Sequence, residues 1–136
     1  MKVVADTMIW VSYCTRKEGY WHKLVERALR QRVRFFVSEY ILNELTDCLI
    51  EDLGETRRFA KLARKAVLRI AKIVRLPPVI RPYVPGDKND DPIVQTGLSA
   101  KADYLVTADT EILKLRKVHD LEIIHPAQLE QNLLSK

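Results

Sequence analysis

The chain has 136 residues, of which 47% are hydrophobic and 30% charged, proportions that fit one globular domain and exclude a disordered chain. No apolar run reaches the length of a membrane span, and the two cysteines and three histidines match no zinc-binding spacing. The 23 basic residues exceed the 18 acidic ones, and the resulting charge of +5 is a weak indication of a polyanionic partner.

The sequence alternates short apolar strands with amphipathic helices. In the first half, the predicted elements are a strand over 2–5, a helix over 19–31, a strand over 33–38, a helix from Ser38 to about Gly54 and a helix over 55–74. The last of these helices has a clean 3.6-residue apolar period. A proline-rich connector over 77–86 interrupts the pattern at this point.

The second half continues the alternation. Its predicted elements are a helix over 90–101, a strand over 103–107, a short helix over 109–117, a strand over 121–125 and a helix over 126–135. Apolar strands that alternate with helices indicate a parallel sheet covered on both faces. We therefore expect an α/β fold and a single domain over 1–136.

Asp6 is the residue that least fits a purely structural account. It follows the apolar strand Val3-Val4-Ala5 and precedes Ile9, Trp10 and Val11, where an ionised carboxylate is costly unless something compensates it. Helix capping does not explain an acid with apolar residues on both sides. Asp6 also interrupts the N-terminal apolar run, and no small-residue cleavage site follows, so we expect no signal peptide and a cytoplasmic location without membrane association.

Three more acids are candidates to join Asp6. Asp109 comes directly after the predicted strand at 103–107, and parallel strands collect functional groups at their carboxyl ends. Glu44 borders the apolar stripe of its helix, and Asp91 shares a helix face with Val94. Each of the three also has a structural explanation, because Asp91 and Asp109 can cap helices and Glu44 can be a solvated border residue.

A metal site explains all four acids together. Carboxylates that converge without a counterion raise one another's pKa values, and a hard divalent cation removes that conflict. Oxygen ligands alone favour Mg²⁺ or Mn²⁺ over zinc. Acidic sites of this kind activate water and stabilise charge on phosphate oxygens, so the sequence predicts phosphoryl chemistry.

Four motifs resemble the PIN-domain proteins, and most of all the toxins of VapBC-type toxin–antitoxin systems. The motifs are VVADT at the start, SEYILNELTDCL, DKNDDPIVQTGLSAKADYLVTAD and the closing IIHPAQL. The resemblance covers almost the whole chain and is strongest over 87–113. It implies a three-layer α/β/α fold with a central parallel sheet, and a ribonuclease that uses Mg²⁺ or Mn²⁺.

The resemblance also implies roles for particular residues. The four catalytic, metal-binding acids are Asp6, Glu44, Asp91 and Asp109, the additional metal ligand is Asp90, and the hydroxyl residues beside the site are Thr7 and Thr107. Many family members have Asn where this chain has Met8, so one polar group near the metal is missing. The partners implied are an RNA substrate, a small antitoxin protein and a second copy of the chain.

Other interpretations compete with this one. A receiver domain is disfavoured because Asp6 stands alone at its strand end, and a haloacid-dehalogenase-like phosphatase is disfavoured because Met8 occupies the place of its second Asp. A non-catalytic RNA- or partner-binding module on the same fold stays open.

Two surface features also have two interpretations each. The basic side of the helix over 55–74, represented by Arg57, Lys61 and Arg64, is either an RNA-binding face or a solvated helix face. The aromatic residues Trp10, Tyr13, Tyr20 and Trp21 either contribute to an interface or complete the core.

Overall fold

The computed structural model describes residues 1–135 of the chain. Its strands are β1 (Lys2–Ala5), β2 (Arg34–Ser38), β3 (Ala71–Val74), β4 (Tyr104–Val106), β5 (Lys117–Val118) and β6 (Leu121–Ile124). Its helices are α1 (Thr7–Thr15), α2 (Tyr20–Arg30), α3 (Glu39–Asp47), α4 (Arg57–Ile70), α5 (Asp91–Ser99), α6 (Thr110–Leu113) and α7 (Pro126–Leu134). A π-helical turn, Cys48–Asp52, directly continues α3.

The six strands form one sheet in the order β3-β2-β1-β4-β6-β5. All neighbouring strands are parallel except β5, which runs antiparallel to β6. The chain therefore moves from β1 to one edge and then crosses back to the other side. Because parallel crossovers are right-handed, α1–α4 and α5–α6 cover opposite faces of the sheet. The predicted α/β/α fold with a central parallel sheet is confirmed.

The core lies on both faces of the sheet, around its two central strands, β1 and β4. Val3 and Val4 of β1 are completely buried, and Val4 lies between Phe36 of β2 and Leu105 of β4 in the strand register. Trp10 of α1 is also completely buried and makes edge-on contacts with the rings of Tyr13 and Phe35. Trp10 and Tyr13 thus belong to the core rather than to an interface.

Two predicted helices differ from the structure. The helix over 55–74 ends at Ile70, and 71–74 is the edge strand β3, which pairs with β2. Apolar residues at 67, 70 and 74 continue the helical period, but β-branched Ile73 and Val74 satisfy their backbone groups on the open edge of β2. The short helix predicted over 109–117 is α6, only four residues long, and Lys117 already belongs to β5.

Helix α1 follows Asp6 immediately and was not predicted. Five of its nine residues are buried, namely Thr7, Ile9, Trp10, Val11 and Tyr13, so the helix has no single apolar stripe. A helix buried on several sides lacks the 3.6-residue polar alternation that identifies a surface helix. In residues 1–135, no helix combines the length and the apolar character needed to cross a membrane.

Candidate active site

A cavity of about 730 Å³ opens where the sheet order reverses, at the carboxyl ends of β1 and β4. Open α/β sheets bind ligands at this switch point because the loops from neighbouring strands diverge there. Carboxylates make up much of the cavity wall. The acids that line it are Asp6, Glu44, Asp47, Glu51, Asp52, Asp90 and Asp109.

Asp6 lies at the floor of the cavity and is nearly fully buried. Its backbone N–H donates to the Val106 carbonyl at 3.0 Å, which joins the ends of β1 and β4. Its carboxylate caps α1 by accepting a hydrogen bond from the Ile9 amide at 3.2 Å. The expectation that Asp6 is not a helix-capping residue was therefore wrong. Burial raises the pKa of the Asp6 carboxyl, and the Asp109 carboxylate raises it further, against the opposing effect of the hydrogen bonds to Asp6.

Thr107 connects the two acids that follow β1 and β4. This threonine is completely buried, and its hydroxyl donates to Oδ2 of Asp6. The same hydroxyl accepts a hydrogen bond from the Asp109 amide at 3.0 Å. Asp109 in turn caps α6, because its Oδ1 accepts from the Glu111 amide at 2.8 Å. One buried hydroxyl therefore fixes the relative positions of Asp6 and Asp109.

Glu44 approaches the cavity from α3 and is oriented by a threonine of its own. The Thr7 hydroxyl donates to Oε1 of Glu44 at 2.7 Å. Burial is the main cause that raises the pKa of Glu44, and the Asp87 and Asp47 carboxylates add to it. Thr7 and Thr107 thus lie beside two of the acids, each donating its hydroxyl to one carboxylate.

The structure brings Asp90, and not Asp91, to the wall of the cavity. Oδ1 of Asp91 accepts from the backbone amides of Tyr83 at 2.8 Å and Val84 at 2.7 Å, so this buried carboxylate anchors the connector before α5. Asp91 is also not a capping residue, because the cap position of α5 is Asp90 and makes no side-chain capping bond. Asp91 therefore does not line the cavity in this geometry, and its catalytic role stays a prediction.

The carboxyl of Asp90 is also strongly perturbed. Burial, followed by the hydrogen bond to the neighbouring Asp87 carboxyl and its charge, raises the pKa of Asp90 to about 7, and Asp109 and Glu44 contribute in the same direction. One of its oxygens, Oδ2, is buried without a hydrogen-bond partner in residues 1–135. A buried unpaired carboxylate oxygen is costly unless a cation or proton is associated with it.

The oxygen donors of the cavity fit a hard divalent cation in their chemistry, although their side chains do not converge on one point. No three His, Cys, Asp or Glu side chains of the described residues are arranged so that they could hold a metal ion. Asp6 and Glu44 are instead held by Thr107 and Thr7. Their oxygen chemistry, the raised pKa values and the unpartnered Oδ2 of Asp90 are nevertheless the conditions that Mg²⁺ or Mn²⁺ relieves.

Sequence reasoning missed the extension of the acidic wall along α3. Glu44, Asp47 and Glu51 follow one another at spacings of three and four residues, which places them on one helix face, and Asp52 completes the wall. That spacing was a usable signal. The π-helical turn at the end of this face could not be predicted, because nothing in its sequence marks it. Such turns recur at functional sites.

The residues predicted to bind RNA lie on α4, away from this cavity. Arg57 and Lys61 are exposed, and neither they nor Arg64 line it. Arg64 is already paired, since its Nη2 lies 2.7 Å from Oε1 of Glu39. Their role in RNA binding stays a prediction.

Comparisons with known proteins agree with this fold. The family model described as PIN domain matches residues 2–111. The solved structure of VapBC2 from Rickettsia felis, bound to a DNA fragment from its promoter, superposes with a TM-score of 0.65 at 15% identity, over 92% of this chain and 98% of that one. VapBC-1 from nontypeable Haemophilus influenzae gives 0.64 at 17% identity, over 93% and 99%. No curated protein matches the sequence.

Proposed function

The chain belongs to the PIN-domain family, and on that basis we propose that it is a Mg²⁺- or Mn²⁺-dependent endoribonuclease and the toxin of a toxin–antitoxin pair. The observation that carries the proposal is a cavity at the reversal of the sheet, lined by the carboxylates of Asp6, Glu44, Asp90 and Asp109. Three of these four acids have raised pKa values, so the cavity favours a bound cation.

Each of the four acids has a defined part in this proposal. Asp6, Glu44, Asp90 and Asp109 would hold the cation, which when bound lowers the pKa of a water molecule and offsets charge on the phosphate oxygens. Thr107 orients Asp6 and fixes the backbone of Asp109, and Thr7 orients Glu44. Asp91 holds the connector at Tyr83 and Val84 and thereby positions the first turn of α5, where Asp90 lies.

The decisive experiment is incubation of the purified protein with mixed RNAs in the presence of Mn²⁺ or EDTA. We expect internal cleavage with Mn²⁺, none with EDTA, and none by a folded Asp6→Asn protein in either condition. Full cleavage by the folded Asp6→Asn variant would contradict the proposal.

The proposed partners rest on the solved relatives, which are VapBC proteins. We expect a small antitoxin encoded beside this chain and a homodimer in solution. Co-expression of a neighbouring small open reading frame should suppress RNA cleavage, and sedimentation at tens of micromolar should give the mass of two chains. A monomer under those conditions would exclude the homodimer.

A non-catalytic RNA- or partner-binding module is the second candidate function. It is favoured by one observation, namely that the carboxylates of Asp6 and Glu44 already accept hydrogen bonds from the Thr107 and Thr7 hydroxyls. RNA that is bound but stays intact with both Mg²⁺ and Mn²⁺ would select this function over the nuclease.

A further inference from the structure

A second cavity, of about 550 Å³, lies between α2, α7 and the loop that precedes α2. Four cationic side chains line it, namely Lys17, Lys23, Arg27 and Arg30. The last three occur at spacings of four and three residues, so they share one face of α2. The buried residues of this helix, Leu24, Val25 and Ala28, form its other side.

Three acids also line this second cavity, namely Glu18, Glu26 and Glu130, and the last two have partners other than these cations. Glu26 pairs with His22 and accepts a hydrogen bond from the Tyr13 hydroxyl, at 3.4 Å in each case. Glu130 of α7 lies beside the Tyr20 hydroxyl, whose pKa is raised by burial and by that carboxylate. Within residues 1–135, none of the four cations forms an ion pair. The basic face is therefore available to an external anion.

An aromatic pair separates this basic cavity from the acidic one. Trp21 lines the acidic cavity, whereas its sequence neighbours Tyr20 and His22 line the basic cavity. The rings of Tyr20 and Trp21 meet edge to face, with 5.7 Å between their centroids. Tyr20 is 45% exposed, so one side of its ring is open to an external base.

We propose that the cavity between α2 and α7 binds the phosphate backbone of single-stranded RNA, and that the strand passes over Tyr20 and Trp21 into the acidic cavity. This inference rests on the proposed nuclease function and names the surface that presents its substrate. An acidic site repels phosphate, so a strand needs cations close by. Basic residues next to exposed aromatic rings are the usual combination for single strands, because unpaired bases stack while cations hold the backbone.

The competing location is the basic side of α4. It carries Arg57, Lys61 and Lys65, which are also exposed, but these residues line neither cavity. The two helices therefore offer matched triple substitutions that remove the same charge. One variant is Lys23→Gln with Arg27→Gln and Arg30→Gln, and its control is Arg57→Gln with Lys61→Gln and Lys65→Gln.

Binding of a labelled single-stranded RNA oligonucleotide is measured by fluorescence anisotropy in EDTA, where no metal-dependent cleavage occurs, between about 50 and 200 mM salt. Each lost phosphate contact lowers the slope of log K against log salt by about 0.7 for a single strand. The α2 variant should therefore flatten the slope by about 2, while the α4 variant leaves it at the wild-type value. Thermal unfolding and circular dichroism establish that both variants are folded.

Tyr20→Ala tests separately whether a base of the RNA stacks on the Tyr20 ring. Loss of one stacked base should weaken binding about tenfold at a fixed salt concentration without a change in slope, because no phosphate contact is lost. Tyr20→Phe, which keeps the ring, should bind as the wild type does.

The outcomes separate this inference from the proposed function. If the wild type cleaves RNA with Mn²⁺ but the α2 variant keeps the wild-type slope, the inference is overturned and the nuclease stands. A flattened slope in the α4 variant, or equal flattening in both, also overturns it. If the α2 variant alone flattens the slope and no RNA is cleaved with either metal, the binding surface stands and the nuclease function falls.

Discussion

Asp90 and Asp91 are adjacent in the chain, yet their carboxylates serve different parts of the structure. Oδ1 of Asp91 accepts from the amides of Tyr83 and Val84, at 2.8 and 2.7 Å, whereas the carboxylate of Asp90 lines the acidic cavity. Asp91 therefore stabilises a loop, whereas Asp90, one position earlier in the chain, faces the site. Substitutions at the two positions should have different effects.

Asp91→Ala should destabilise the protein by about 3 kcal/mol, because two backbone amides lose a charged acceptor inside the structure. Asp91→Asn keeps an acceptor oxygen and should cost only about 1 kcal/mol, since its hydrogen bonds are no longer charge-assisted. Urea unfolding measures both values. The folded Asp91→Asn protein should retain most RNA cleavage, whereas Asp90→Asn should lose it. Equal loss of activity in the two Asn variants would show that Asp91 takes part in catalysis.

Asp6→Asn should leave the free energy of unfolding in EDTA within about 1 kcal/mol of the wild type, because removal of a buried charge offsets loss of the second acceptor oxygen, to which the Thr107 hydroxyl donates. The same variant should lose the stabilisation that metal gives the wild type, about 2.7 kcal/mol at a Mn²⁺ concentration one hundred times its Kd. Thermal unfolding with EDTA and with Mn²⁺ measures both effects. Asp120→Asn removes an exposed acid outside the cavity and should change neither. A Mn²⁺ response that survives in Asp6→Asn would exclude Asp6 as a ligand.

The stability of the metal-free protein should depend on pH through Asp90. Its pKa is about 7 in the folded chain against an ordinary 3.8, so the ionised carboxyl destabilises the folded state at pH 8. That penalty is relieved as the pH falls through 7, and wild-type stability should rise. Asp90 is partly exposed, so solvent screening limits the change to about a few tenths of a kcal/mol per pH unit.

The matched variants for this pH dependence are Asp90→Asn and Asp87→Asn. The first removes the titrating group, and the second removes the neighbouring carboxylate that raises its pKa. Both should therefore reduce the difference in unfolding free energy between pH 8 and pH 6, measured in EDTA. If the difference is as large in Asp90→Asn as in the wild type, the pH dependence has another origin.

The sequence was sufficient to predict the inner strands of the sheet, although it missed the edge strands β3 and β5. Val3, Val4, Phe35 and Phe36 form short β-rich apolar runs bounded by polar residues, and the structure buries them in β1 and β2. Asp6 and Asp109 were expected at one edge because each follows such a strand, and both line the acidic cavity.

The parts that sequence reasoning missed depend on contacts between distant residues. The choice between Asp90 and Asp91 is made by the amides of Tyr83 and Val84, which belong to a proline-rich connector without periodicity. The end of α4 depends on the free edge of β2, because Ile73 continues a helix equally well until a strand is available to pair with it. Local pattern contains neither fact.

Thr107 offers the sharpest test of how the acids are held. Thr107→Val keeps the shape of a completely buried side chain but removes the hydroxyl that donates to Asp6 and accepts from the Asp109 amide. The buried carboxylate of Asp6 and the partly buried amide of Asp109 lose their partner, so we expect a destabilisation of about 1–3 kcal/mol. Residues that orient metal ligands typically contribute 10–100-fold in metal affinity, so Mn²⁺ binding by calorimetry should weaken by about that factor.

Thr96→Val is the control that distinguishes this role from general destabilisation. Thr96 is also completely buried, and its hydroxyl lies 2.8 Å from the Ser38 hydroxyl and 2.7 Å from the Pro92 carbonyl oxygen, so the chemical change is the same. Thr96 does not line the cavity, and its substitution should lower stability while Mn²⁺ affinity stays at the wild-type value. Thr107→Ser, which restores a hydroxyl, should recover most of the affinity. If Thr107→Val and Thr96→Val bind Mn²⁺ equally well, the buried hydroxyl stabilises the fold without positioning the acids.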